Sequence, residues 1–236
     1  MRQVPNYLII GNGRAARHFC HYLGLLQIPF QNWSRDNNTQ DELVDFVKDA
    51  SHILLLISDG AIEDFINNNP YLLNVKYLIH CSGSLTLENC FAAHTPITFG
   101  PDLYDKENYL AMAFILEEGA PDFSVLLPGL PNKNFKIPKK MKPLYHALCV
   151  IGGNFTCLLW QKFFSELETK FKLPKEIVYP YMDQVIENLK SSSANSLTGP
   201  LARGDKKTIE ANLKSLAGDP YQKIYQAFVE AYYEDS

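Results

Sequence analysis

The chain has 236 residues, of which 46% are hydrophobic and 20% charged, and its formal net charge is −4. This composition is typical of a globular protein with a sizeable core, and the acidic balance argues against a nucleic-acid-binding surface. The five cysteines show no CxxC spacing, which predicts reduced thiols. The sequence shows no secretory leader and no apolar run near the ~20 residues of a membrane helix, so it predicts a cytoplasmic protein with no membrane partner.

The first predicted strand, residues 7–10, leads into a glycine motif and then a helix from residue 14 to about residue 23, with Gly24 as its C-cap. Gly11 would permit a tight turn, Gly13 would let the backbone approach a pyrophosphate, and Ala16 takes the third small position. An anion would then lie at the N-terminus of the helix. The residues predicted to bind a dinucleotide here are Gly11, Asn12, Gly13, Arg14 and Ala15.

The second predicted strand, residues 29–33, is followed by Ser34 and Arg35. NAD enzymes usually carry an acidic residue there, about 20 residues beyond the glycines, for the ribose 2′-hydroxyl. A hydroxyl and a guanidinium can instead bind a 2′-phosphate, so the sequence favours NADP over NAD. Asp36 follows directly and argues the other way.

Strand–helix alternation continues to residue 138. The predicted elements are a helix over 41–49, strands over 52–57 and 77–81, a loop over 94–101, a strand over 109–116, a short helix over 121–127 and an edge strand over 134–137. Loops at the carboxyl ends of parallel strands line the ligand crevice. Further cofactor contacts are therefore predicted at Ser58, Asp59, Ser82 and Gly83, with Asp59 alternatively an N-cap.

After residue 138 the pattern predicts only helices. The fold class is therefore α/β: a doubly wound, mostly parallel Rossmann domain over 1–138, followed by an all-α domain over 139–236. Gly152 and Gly153 interrupt the first helix, which indicates close approach of a backbone or ligand, or a local kink. The apolar stripe of this helix comprises Leu144, Leu148, Ile151, Phe155, Leu158 and Phe163.

Several motifs occur in an order that resembles one family. They are Gly11–Arg14, Trp33-Ser34-Arg35, the segments 80–85 and 94–99, Tyr145-His146-Ala147 with Asn154-Phe155, and the loop 197–205. The chain resembles Rossmann-like oxidoreductases with a C-terminal domain of unknown function, which are similar in plan to pyrroline-5-carboxylate and ketopantoate reductases and to 6-phosphogluconate dehydrogenase-like proteins. The resemblance implies a nicotinamide cofactor between the two halves and a homodimer through the helices. Thr95, between His94 and Pro96, departs from the family pattern.

Candidate catalytic residues lie on both sides of residue 138. His146 is predicted to be the general acid or base and Asn154 the amide that orients the substrate, with His94 as an alternative acid. A structural His146–Asn154 pair is the competing interpretation. Thr198 and Arg203 are predicted to bind substrate, although Arg203 could instead pair with Asp205.

Two further patterns receive structural interpretations. His18 and His21 lack a third ligand nearby, so we interpret them as surface histidines and predict no metal site. The basic run 139–142 is interpreted as a solvated loop.

The predicted function is NADP-dependent hydride transfer to or from a small carbonyl, imine or hydroxy compound. A non-catalytic NADP(H) sensor or scaffold is the alternative, because no established catalytic set such as Ser–Tyr–Lys is present.

Overall fold

The computed structural model describes residues 5–234, in which seven strands form one sheet of order β2-β1-β3-β4-β5-β6-β7. The strands are β1 Tyr7–Ile10, β2 Phe30–Trp33, β3 His52–Leu55, β4 Tyr77–His80, β5 Phe91–His94, β6 Ala113–Glu117 and β7 Lys133–Ile137. Strands β1 to β5 pair in parallel, β6 is antiparallel to β5, and β7 is parallel to β6. The strand order reverses between β1 and β3, which is where open α/β sheets bind their ligands.

Helices cover both faces of the sheet. They are α1 Arg14–Leu25, α2 Gln40–Asp49, α3 Asp59–Asn68, α4 Lys106–Ala111 and α5 Phe123–Leu126. Strand β1 shows why both faces are covered, since Tyr7 and Ile9 belong to one buried cluster while Leu8 and Ile10 belong to the other. The all-apolar β1 is therefore a central strand, as its sequence predicts.

A long helical stretch follows the sheet. It consists of a short 3₁₀ turn Lys139–Met141, α6 Lys142–Cys149, a π-helical segment Val150–Phe155, α7 Thr156–Glu166 and a second π-helical segment Leu167–Phe171. Its 33 residues are long and apolar enough to cross a membrane by length and composition alone, which corrects the expectation that no such run exists. Core helices of globular proteins meet the same criterion.

The chain forms two compact units, which meet in the sequence between Leu159 and Trp160. The sheet ends at Ile137 and the regular structure described after it is helical, but the first unit continues along the helix beyond the predicted boundary at 138. The second unit contains the end of α7 and the later helices α8 Tyr179–Ser191, α9 Gly199–Ala202, α10 Lys206–Ser215 and α11 Tyr221–Glu234.

Charged groups hold the second unit together. The Lys162 ammonium lies 2.7 Å from the Glu166 carboxylate and 2.5 Å from Asp219, and it also lies over the Tyr221 ring at 5.2 Å. Asp219 accepts a hydrogen bond from the Tyr221 amide and so caps the start of the last helix.

Several local predictions are wrong. Residues 109–116 were expected to be one strand, but α4 covers residues up to Ala111 because Asp105 caps it, accepting a hydrogen bond from the Asn108 amide. Helix α1 passes Gly24 and ends at Leu25, and Gln27 takes the left-handed conformation instead. His18 is buried and bonds Tyr109 and the Gly100 carbonyl, so it is not a surface histidine.

Candidate functional site

The glycine turn after β1 is fixed by its neighbours in the sheet. Gly11 has φ +133°, and a Cβ there would clash with the backbone carbonyl of Leu56, so this position requires glycine. The Gly11 amide donates to the Trp33 carbonyl at 2.9 Å. The Asn32 side chain donates to the carbonyls of Ile9 and Gly11 at 3.0 and 2.9 Å. The turn is therefore flanked by β2 on one side and by the backbone of Leu56, which follows β3, on the other.

A cavity of about 520 Å³ lies over this turn. Helix α1 begins directly beneath it with Gly13 as N-cap, and no side chain caps its first turn. The backbone N–H groups there are available to an anion, and a Cβ at Gly13 would meet open space. The predicted cofactor residues that line the cavity are Gly11, Asn12, Gly13, Arg14, Ala15, Ser34, Arg35 and Ser58.

The far end of this cavity carries a hydroxyl, a guanidinium and a carboxylate. Ser34 is 4% exposed and its buried hydroxyl has no hydrogen-bond partner among the described residues. The Arg35 side chain is 90% exposed, and its Nε lies 3.8 Å from Asp36. The Asp36 carboxylate also accepts a hydrogen bond of 2.7 Å from the side-chain amide of Asn12. A buried hydroxyl without a partner beside an unburied guanidinium fits the polar ribose end of a dinucleotide.

The remaining predicted cofactor residues, Asp59, Ser82 and Gly83, follow the carboxyl ends of β3 and β4 and do not line the glycine-turn cavity. Ser58, not Asp59, is the N-cap residue of α3. The Asp59 carboxylate accepts a 2.5 Å hydrogen bond from the Ser82 hydroxyl, and that hydroxyl accepts from the amide of Leu85 at 3.0 Å. This arrangement fixes the loop in which Gly83 lies.

A second cavity, of about 480 Å³, brings the three predicted catalytic residues together. His94 ends β5, where the sequence predicted a loop, while His146 lies on α6 and Asn154 on the π-helical segment. The other lining residues are Pro96, Ile97, Thr98, Cys149, Val150, Gly152 and Gly153. We refer to it as the histidine cavity.

Gly83 lies between the side chains of His94 and His146. A Cβ at Gly83 would lie 2.5 Å from Cδ2 of His146 and 3.1 Å from Cδ2 of His94, so only glycine fits between the rings. The rings themselves are 5.8 Å apart and nearly perpendicular. Because β1, β3, β4 and β5 run in parallel, the glycine turn and the histidine cavity lie along the same carboxyl edge of the sheet.

Burial determines the protonation of His94, and a hydrogen bond to Tyr145 determines the orientation of its ring. Burial, with the nearby His146 as a smaller cause, lowers the pKa of His94 to about 4, so His94 is neutral at physiological pH. Its Nδ1 lies 2.7 Å from the Tyr145 hydroxyl. Burial raises the pKa of Tyr145, which therefore keeps its proton and can donate it to this nitrogen. The Tyr145 contact orients the His94 ring within the cavity.

Sequence reasoning missed a buried ion pair next to this site. The Lys142 side chain is 4% exposed; its ammonium lies 3.5 Å from Oε2 of Glu117 and donates to the Leu85 carbonyl. The interpretation of the run 139–142 as a solvated loop is therefore wrong for Lys142. Its position four residues before His146 places both side chains on one side of α6, but that spacing does not indicate Glu117 as the partner.

The other predicted site residues lie in the second unit. Thr198 precedes α9 and Arg203 follows it, and their role in substrate binding stays a prediction. Asp205 caps α10 by accepting from the amide and hydroxyl of Thr208. Within residues 5–234, no group of three metal-ligating side chains is present.

Solved structures similar to this chain share its fold. A protein from Bacteroides fragilis described as a candidate NADP oxidoreductase aligns over 98% of both chains with 18% identity and a TM-score of 0.76. An imine reductase from Streptomyces aurantiacus aligns over 97% of this chain and 93% of its own, with 14% identity and a TM-score of 0.64. Pyrroline carboxylate reductase from Plasmodium falciparum, solved with NADP bound, aligns over 98% and 97%, with 15% identity and a TM-score of 0.59.

Sequence comparison finds one match, in the C-terminal part of the chain. No curated protein matches the chain. Residues 117–232 match the family described as Domain of unknown function (DUF2520), and the sheet that precedes most of this region has the strand order and glycine turn of a Rossmann fold. Residues 117–232 therefore match this domain of unknown function, and they follow a sheet of Rossmann type.

Proposed function

We propose that the chain is an NADP-dependent oxidoreductase acting on a small imine, carbonyl or hydroxy compound. The observation that carries this proposal is the position of the histidine cavity on the same edge of the sheet as the glycine turn. The similar structures described as an NADP oxidoreductase, an imine reductase and an NADP-bound pyrroline carboxylate reductase support the same class of reaction.

The glycine-turn cavity would hold the cofactor. The free N–H groups at the start of α1 would bind the pyrophosphate, and Gly13 leaves room for it. The Ser34 hydroxyl and the Arg35 guanidinium would bind a 2′-phosphate. When bound, the nicotinamide cofactor supplies the hydride-transfer chemistry.

The residues of the histidine cavity would handle the proton and the orientation of the substrate. We assign His146 as the group that donates a proton to, or removes it from, the substrate nitrogen or oxygen. The Asn154 amide would orient the same polar atom, because it can donate and accept hydrogen bonds. His94, neutral and held by Tyr145, would serve as a hydrogen-bonding partner and not as a charged acid.

Cofactor oxidation tests the assignment. The purified protein should oxidise NADPH with at least one member of a panel of imines, keto acids and aldehydes. His146→Ala should abolish turnover while leaving the Kd for NADPH, measured by fluorescence titration, unchanged. The matched control His21→Ala, on α1, should keep both. Tight NADPH binding with no turnover of any compound would favour the alternative, a non-catalytic sensor of NADP(H).

The 2′-phosphate assignment has its own test. Arg35→Asp should weaken NADPH binding by about 10- to 100-fold, because a charge-assisted hydrogen bond is lost and a repulsive carboxylate replaces it. NADH affinity should change much less. Asp36→Asn, next in sequence, should strengthen NADPH binding. Equal losses for both cofactors in Arg35→Asp would contradict the assignment.

A homodimer through the helices accompanies this function. Leu144, Leu148, Ile151 and Phe155 repeat at spacings of four and three and are each 49–58% exposed. An exposed apolar seam of this kind is typical of a helix that packs against a second helix. We assign the seam to a second copy of the chain.

A further inference from the structure

Two adjacent glycines form part of the wall of the histidine cavity. Gly152 and Gly153 lie in the π-helical segment Val150–Phe155, between the cavity residues Val150 and Asn154. π-helical turns within α-helices occur frequently at functional sites. The glycines therefore present bare backbone beside the groups proposed to handle the substrate.

The fold does not require glycine at either position. Neither residue has positive φ, and a Cβ at either would find no heavy atom within 4 Å. Gly11 and Gly83 are different, because a Cβ there would collide with the Leu56 carbonyl or the His146 ring. Glycine inside a helix costs about 1 kcal/mol relative to alanine. Two adjacent glycines therefore reduce the stability of the helix without being required by its packing. We infer that the histidine cavity requires them.

The chemistry of the surrounding wall indicates what fills the space. Pro96, Ile97 and Val150 are apolar, and Thr98 and Cys149 are neutral. Among the described residues that line the histidine cavity, none is Asp, Glu, Lys or Arg. A charged substituent would find no partner in this wall, whereas a neutral group would fit against it.

We propose that Gly152 and Gly153 set substrate specificity, by making room for a bulky, uncharged substituent next to the reacting C=N or C=O bond. The inference rests on the proposed function and extends it, because it names the shape and charge of the substrate class. A methyl group in place of either glycine hydrogen would occupy the space that the substituent needs. A small substrate without that substituent would still fit.

Matched substrate pairs test the inference on the full-length protein. Each pair is a cyclic imine or ketone with and without a phenyl group beside the reacting carbon. Gly152→Ala and Gly153→Ala should lower kcat/KM for the phenyl compound by about tenfold or more, since steric discrimination of one carbon in a pocket is worth about 10- to 200-fold. The kcat/KM for the unsubstituted compound should fall far less. Calorimetry in the presence of NADP⁺, which cannot reduce a ketone, should show the same split in Kd for the two ketones.

Gly24→Ala is the matched control, because Gly24 is also helical and also has open space around it but lies on α1. All three alanine variants should raise Tm, whereas only the two cavity variants should lose the phenyl substrate. Equal loss for both members of a pair, or no loss for either, would overturn the inference. So would dissociation measured by light scattering, because the glycines would then contact a second copy.

The binding arm separates this inference from the proposed function. If the unchanged chain turns over no compound, the proposed oxidoreductase fails, and the inference falls too unless calorimetry still shows the split between the phenyl and unsubstituted ketones. If turnover is present and the split is absent in both assays, the inference alone fails.

Discussion

The positions of the two histidine rings in the histidine cavity depend on the absence of a side chain at Gly83. The two histidine rings approach Gly83 so closely that a Cβ there would meet both, at 2.5 Å from His146 and 3.1 Å from His94. Ser82 next to it is fixed by the Asp59 carboxylate, so the loop cannot easily move away. The cofactor contact that the sequence predicts for Gly83 stays a prediction; the structure places the imidazole of His146 next to it.

Gly83→Ala should therefore displace His146 and leave the glycine-turn cavity intact. We expect kcat to fall by about tenfold or more, since a shift of about 1 Å at a reacting group can cost a factor of about 100. The Kd for NADPH should stay within about twofold, because Gly83 does not line that cavity. Gly60→Ala, on α3 with open space around it, is the control that should change neither value. Unchanged kcat in Gly83→Ala would show that the ring positions do not matter.

At the scale of elements, the sequence pattern predicted most of the sheet, but it missed β5 and placed the start of β6 too early. Strands β1 and β3 are buried on both faces, and apart from His52 they are continuous apolar runs in the sequence. Strand β5 was missed, because its four residues Phe91–His94 are too few to show a period and are followed directly by Thr95-Pro96. For residues 109–116, side-chain hydrophobicity fitted a strand, but the cap at Asp105 decided for helix over the first part.

The residues of the candidate site likewise divide into those that the sequence could predict and those that it could not. The residues of the glycine turn were predictable because a tight turn and a free helix N-terminus demand particular residues in a fixed order. The Glu117–Lys142 ion pair was not, since it joins β6 to α6 and no local spacing relates the two residues. Tertiary contacts between distant segments leave no periodic signal in the sequence.

The Glu117–Lys142 pair should anchor α6 to the sheet. Lys142→Met leaves the Glu117 carboxylate, 2% exposed, without its closest cation, and we expect the free energy of unfolding to drop by about 3–5 kcal/mol. The double variant Lys142→Met/Glu117→Leu should recover part of the loss, because no buried charge remains. Urea unfolding measures both. A loss below about 1 kcal/mol in the single variant would mean that the carboxylate is solvated after all.

At the scale of the whole molecule, buried histidines link stability to pH. Burial, reinforced by the Lys142 ammonium and opposed by Asp59, lowers the pKa of His80 to about 4, and burial lowers the pKa of His52 and His94 as well. As pH falls below about 6.5, the unfolded chain takes up these protons before the folded one. The neutral buried histidines therefore support the folded state fully above that pH and progressively less toward pH 4.

We expect the free energy of unfolding to be flat from pH 7 to 8 and to fall between about pH 6.5 and 4, by about 1.4 kcal/mol per pH unit for His80 alone. Urea titrations at pH 7.5 and 5 measure the difference. His80→Asn keeps an acceptor for the Ser82 amide but removes the titrating ring, so it should reduce the slope. Equal stability at both pH values would rule out the buried neutral state.

Assembly is the other property of the whole molecule. Leu148→Glu places a charge in the middle of the exposed seam of α6 and should convert the proposed homodimer to monomer in light scattering, because a carboxylate is costly at an apolar helix contact. Leu103→Glu is the matched control, since Leu103 is 43% exposed but lies in a loop of the first unit. A monomeric mass for the unchanged chain would contradict the dimer, whatever the variants do.

The π-helical segment Val150–Phe155 also bears on how this helix can be shortened. A π-turn closes its hydrogen bond over five residues instead of four, so it absorbs one extra residue while the flanking turns keep their phase. Deleting either Gly152 or Gly153 should thus leave an uninterrupted α-helix in register at both ends. Helix interiors ordinarily tolerate deletions poorly, but here we expect the chain to lose one residue and still fold.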